Sequence, residues 1–292
     1  MLDNLLVQNI PLNAVSNILR LKLGAYAWVF NRMSANQGRF PYPAWFIGYL
    51  DALGVEHWAE YYFKAKITPL IEEARSTGNF LTEMIYEQYG SNPTNEQIIE
   101  CIKLLSDNIE DFYSNLKELH FLESDPKVSF LDELPEEERS TQKHILMLFL
   151  IAFLNDLSIA SHGESLYVLV QKAIEQEDVE AFVKAIQIDP TITHYFNKKI
   201  TFQSLSGDSD FFDQLSYRVK NPPLRGQVKH PLLWVLFKDL SVFGCLRKGI
   251  TNRQILDLLN DSVKEHPEFL IVDEQIVQRQ RRKFISKYRL LK

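Results

Sequence analysis

Cysteine is nearly absent: Cys101 and Cys245 are the only two in 292 residues, 144 positions apart. Two remote thiols form neither a disulfide framework nor a zinc-ligand pattern. A reducing cytoplasmic compartment is therefore expected. Glycine (11) and proline (12) are too few for a collagen-like or low-complexity chain. Long apolar runs are missing as well. The most apolar stretch, Ile145–Leu154, is closed by Asn155 and Asp156. Crossing hydrocarbon takes about 20 residues, so this stretch reads as a buried core helix and no membrane partner is expected. The first residues lack the basic start and apolar core of a signal peptide. Strict apolar–polar alternation is not sustained anywhere, which argues against half-buried strands.

Metal and nucleotide chemistry lack their residues. The seven histidines, at 57, 120, 144, 162, 194, 230 and 266, never stand three or four apart. Glu56, His57 and Glu60 share a helical turn, yet the zinc and di-iron spacings are not met. No glycine-rich phosphate loop opens a helix. No cofactor is expected. Ser161, His162 and Glu164 are too close in sequence to fold into a triad, and Gly163 reads as the turn between two helices.

Helical periodicity, by contrast, runs almost throughout. Asn13 to Met33 reads as a first helix with Ala14, Ile18, Leu21, Ala25, Trp28 and Val29 on one side. Asn95–Leu122 repeats apolar residues at steps of three and four. Later segments read as helices over 140–161, 164–177, a short stretch stopped at Asp189-Pro190, two more within 191–220, and then 230–244, 251–265 and 273–291. The fold class expected is all-α, a multi-helix bundle or array with room for two helical subdomains. Residues 1–122 form an aromatic-rich N-terminal helical domain, and 123–138 an acidic linker. Residues 139–292 form a C-terminal helical domain with a basic terminal helix.

The linker is placed by composition: Glu123–Glu138 holds seven acids against Lys127, with Pro126 and Pro135. Twelve of the thirty-five aromatic residues fall between Tyr26 and Phe63. Such a cluster suits either a ligand pocket or a tightly packed core.

Two short resemblances bear on function, and a third on fold. Ala181–Pro190 resembles the second-helix tail of a tetratricopeptide repeat, without recurring one repeat earlier or later. Arg139-Ser-Thr-Gln-Lys-His144 and Arg225-Gly-Gln-Val-Lys-His230 each put an arginine five residues before a histidine at a helix start. That spacing is similar to the motif of HEPN-type ribonucleases, with Gly226 departing from the polar residue usual after the arginine. The resemblance implies metal-independent RNA cleavage by Arg139 and His144, or Arg225 and His230, across a homodimer interface. Histidine would move the 2′-hydroxyl proton while arginine neutralises phosphate.

Charge provides the other lead. The formal charge is −6, yet the last fourteen residues carry seven cations and no acid, leaving −13 on residues 1–278. Leu246–Leu259 holds a turn glycine, Gly249, and a capping box, Thr251 with Gln254. It resembles the turn and helix of a LuxR-type helix-turn-helix, with a longer connection, 266–272, to the next helix. The resemblance implies that 273–291 is the reading helix, burying Val277, Phe284, Tyr288 and Leu291. Arg279, Arg281, Arg282, Lys283, Lys287 and Arg289 are then the expected nucleic-acid-binding residues. The function expected is a non-catalytic interaction protein contacting nucleic acid or an acidic protein surface. A ribonuclease and a purely structural adaptor are the alternatives.

Overall fold

The computed structural model describes residues 12–35, 85–90, 93–94, 96–98, 100–101, 152–189, 192, 197–220, 228–243, 245–246 and 250–288. Among these residues every regular element is helical, as periodicity predicts. None is long and apolar enough to cross a membrane. The chain divides into two units, one of Met1–Arg32, Thr68–Leu119 and His230–Lys292, the other of Met33–Ile67 and His120–Lys229. Space thus joins α1 (Leu12–Ala35) to the C-terminal helices, across the sequence boundaries at 122 and 139. The acidic stretch 123–138 lies outside the described residues.

Unit one contains α1, α6 (Pro231–Val242), α7 (Asn252–Ser262) and α8 (Glu274–Lys287); α1 meets α6 and α7, and α8 packs on α6 and α7. The fully covered line of α1 is Val15, Leu19, Leu23, Ala27 and Phe30. Of the face expected from sequence, Ile18 and Ala25 are buried while Leu21 and Trp28 are only half-buried. Apolar residues ring this helix, so its own pattern does not single out the side that meets the partner. Contacts to the far end of the chain do so. Phe30 meets Phe269 at 6.4 Å, and Asn31 approaches His266 at 3.4 Å. Tyr26 packs edge-on against Phe30 at 6.3 Å. These two buried members of the aromatic cluster are core; its residues from Phe40 onward lie outside the described residues.

At Gly24 the backbone of α1 lies close to the end of α7. A Cβ there would stand 3.2 Å from the Ser262 carbonyl oxygen. A β-branched side chain must push the two helices apart. Gly24→Val is therefore expected to lower stability by about 1–3 kcal/mol, read from the midpoint of a urea titration.

Helix α6 meets α1, α7 and α8. Leu232 to Leu240 are buried without interruption, and Pro231 at the first helical position starts the helix with its φ preset. Full burial includes Lys238 and Asp239. Lys22 of α1 reaches Asp239 at 2.7 Å and lies 5.4 Å from the centre of the Tyr26 ring. Lys238 is 3.8 Å from the same carboxylate oxygen. An ion pair so far from water holds only with its partners in place.

Among the described residues of unit two, a helical run over 152–162 is buried from Phe153 to His162 despite Asn155, Asp156, Ser158, Ser161 and His162. Two of these polar groups serve the following turn. Ser158 Oγ donates to the Glu164 carbonyl at 2.7 Å, and Asn155 Oδ1 accepts from the Tyr167 amide at 3.3 Å. Gly163 takes φ +69°, the left-handed turn expected there. Ser165 and Asp178 cap α2 (Leu166–Glu175) and α3 (Val179–Ile188), and α3 stops at Asp189. The helices α4 (Asn197–Ser206) and α5 (Ser209–Lys220) follow, with Phe211 of α5 stacked on Phe182 of α3 at 6.0 Å.

Candidate nucleic-acid interface

The basic terminal helix is held by three sets of contacts. The α7 start forms the capping box expected from sequence: Thr251 Oγ1 accepts from the Gln254 amide, and Gln254 Oε1 from the Thr251 amide. Beyond α7, Asn260 fixes the connection to α8. Its Nδ2 donates to the Ile271 carbonyl at 2.7 Å, and its Oδ1 accepts from the Ile271 amide at 3.0 Å. Asp273 then caps α8 by accepting from the Gln275 amide at 2.8 Å. The long connection thus folds into a 3-10 turn, Pro267–Phe269, and a pinned stretch of chain rather than a tight turn.

The second set is apolar. Phe284, fully buried, meets Trp234 edge-on at 5.5 Å, Phe237 at 5.6 Å and Tyr288 at 4.7 Å. Val277 is buried on the same side. Gln280 is covered too, and its Oε1 accepts from the Trp234 indole nitrogen at 3.1 Å. Sequence reasoning misses Gln280 because glutamine between basic residues carries the signature of a solvated face.

The third set is Arg281. Its guanidinium donates to the carbonyls of Leu246 (2.6 Å) and Ile250 (3.0 Å) and to Asn252 Oδ1 (3.2 Å). Desolvation lowers its pKa from the ordinary arginine value. Arg281 thus ties α8 to the chain between α6 and α7. Its planar fork reaches acceptors that a lysine could not span together.

With these contacts made, the opposite side of α8 is left to solvent. Arg279, Arg282 and Lys283 are exposed at i, i+3 and i+4, on the side away from Val277, Gln280 and Phe284. Among the described residues none of the three has an acidic partner. Lys287 is exposed in the last turn, where its charge complements the helix dipole. Gln275, Gln278 and Ser286 complete the exposed stripe. Of the residues expected to bind, Arg279, Arg282 and Lys283 share one face, Lys287 flanks it, Arg281 points inward, and Arg289 lies outside the described residues.

The arginine–histidine pairs are not brought together within the described residues, because Arg139, His144 and Arg225 lie outside them. His230 is half-buried at the N-cap of α6 and makes no side-chain capping bond. No group of three or more histidine, cysteine, aspartate or glutamate side chains placed to hold a metal occurs among the described residues. Cys245 is buried, and burial pushes its thiol up to about 11, far from thiolate chemistry at neutral pH. In unit two, a shallow groove between α3 and α5 is lined by Glu180, Asp213, Gln214 and Tyr217. No family model, curated protein or solved structure matches the chain.

Proposed function

We propose that the protein is a non-catalytic interaction protein that contacts nucleic acid through the exposed basic face of α8. The observation that carries this reading is the solvent-facing set Arg279, Arg282 and Lys283, held on a helix whose other side is locked in the core. A polyanion is the ligand that repays three cations so placed, because each phosphate neutralised releases condensed counterions. The net charge of −6 includes exposed acids of unit one itself, Asp273 and Glu274 at the start of α8 and Asp257 and Asp261 on α7, whereas Arg279, Arg282 and Lys283 form a local cationic set further along α8.

The test is a titration of labelled nucleic acid, and of poly-glutamate, with the whole chain at several salt concentrations. The triple variant Arg279→Ala, Arg282→Ala, Lys283→Ala should weaken binding to duplex DNA roughly tenfold to a hundredfold. Its log–log salt dependence should become shallower by about 0.9 for each phosphate no longer neutralised. Unchanged affinity and slope in that variant would remove the reading. Tighter binding to poly-glutamate than to any nucleic acid would transfer the face to an acidic protein partner. RNA recovered in pieces, and spared by His144→Ala or His230→Ala, would turn the assignment to the ribonuclease.

A further inference from the structure

We infer that the nucleic acid is duplex DNA and that α8 reads it from the major groove, with Gln275, Gln278, Arg279 and Arg282 facing the base edges. This rests on the nucleic-acid reading above and goes beyond phosphate attraction to name the form of the ligand. Three observations carry it.

First, the exposed side of α8 has no ring to offer. Its one aromatic residue, Phe284, is buried against Trp234 and Phe237, and Tyr288 at the C-cap is half-buried against Phe284. Proteins that hold single strands without regard to sequence rely on base stacking over exposed aromatic side chains. A face of arginine, lysine, glutamine and serine supplies no such platform.

Second, the exposed side chains are those that match base edges in a wide groove. Glutamine pairs with adenine N6 and N7, and arginine with guanine O6 and N7, in each case through two hydrogen bonds. Gln275, Gln278, Arg279 and Arg282 are all exposed along one stripe of the first and middle turns. None is engaged by another side chain among the described residues. From Gln275 to Ser286 the stripe runs about 16 Å at the rise of an α-helix. The major groove of B-DNA, about 12 Å wide, admits a helix presenting such an edge. The major groove of an RNA duplex is deep and narrow and does not.

Third, the roll of α8 about its own axis is fixed. Arg281 donates to three acceptors before and at the start of α7, while Gln280 accepts from Trp234 two helices back. A helix held at neighbouring positions by polar contacts, and at Val277 and Phe284 by packing, keeps one stripe outward. Arg281 is thus a positioning residue, and Lys283 and Lys287 flank the stripe where phosphates line a groove.

The experiment uses the whole chain with three labelled ligands: a DNA duplex, one of its single strands, and an RNA duplex of the same sequence. The DNA duplex should bind about tenfold tighter than either of the others, a margin well below that between specific and non-specific complexes because its sequence is not a selected site. Sites are then selected from a random duplex pool, and Gln275→Ala with Gln278→Ala is compared with the parent protein. The double variant should lose roughly tenfold of its preference for the selected site over random duplex. Its salt dependence should stay as steep as the parent's, since no cation has been removed. Equal or tighter binding of the single strand or the RNA duplex would overturn the inference and leave nucleic-acid binding standing. A pool that yields no enriched site, or a double variant with its preference intact, would overturn base reading. No salt-sensitive binding to any of the three would remove the underlying reading as well.

Discussion

Asp239→Ala is expected to lower the stability of unit one by about 3–5 kcal/mol, measured by urea titration followed by circular dichroism. The Lys22 ammonium stands 2.7 Å from the Asp239 carboxylate, both side chains being nearly out of water. Lys238 stands 3.8 Å from it, equally buried. Removing the carboxylate takes from Lys22 and Lys238 a buried anion that both of them face. Desolvated cations are costly, whereas the pair itself adds little over a well-packed apolar replacement. The double replacement Lys22→Met with Asp239→Leu should therefore recover part of the loss. A single variant that costs under about 1 kcal/mol would place this pair with solvent-exposed ion pairs.

Phe284→Ala is the second large effect, about 3–5 kcal/mol, because it empties the point where α8 meets α6. The ring touches Trp234, Phe237 and Tyr288, and is itself fully buried. Trp234 reports the change directly. Its fluorescence should shift to the red as its edge-to-face partner is removed and water enters. Phe284→Leu, which retains much of the volume, should cost clearly less. Equal losses for leucine and alanine would mean that ring geometry outweighs volume at this site. Nucleic-acid affinity should fall with Phe284→Ala near its unfolding midpoint and recover at lower temperature, unlike the effect of removing surface cations.

The helices are legible from local chemistry. Thr251 with Gln254, the turn at Gly163 and the stop at Asp189-Pro190 mark element ends through contacts within a few residues, and each is found where the sequence places it. The exposed cations of α8 are legible as well, because their spacing opposes Val277 and Phe284 on the helical wheel. What is not legible depends on distant partners. Arg281 has the same charge and local context as Arg282, and only the carbonyls of Leu246 and Ile250 draw one inward while the other faces water. The ion pair that α1 forms is set by a residue more than 200 positions later. No local pattern encodes such a pairing.

That separation has a consequence during synthesis. Lys22 and Asp239 are 217 positions apart, so α1 leaves the ribosome long before the helices that cover it exist. At about 5–20 residues per second, the wait is roughly 11–43 s. Throughout that interval Lys22, Gly24 and Phe30 lack their native neighbours Asp239, Ser262 and Phe269. Unit one therefore cannot be completed until α6, α7 and α8 have emerged, and α1 waits for them as part of the nascent chain.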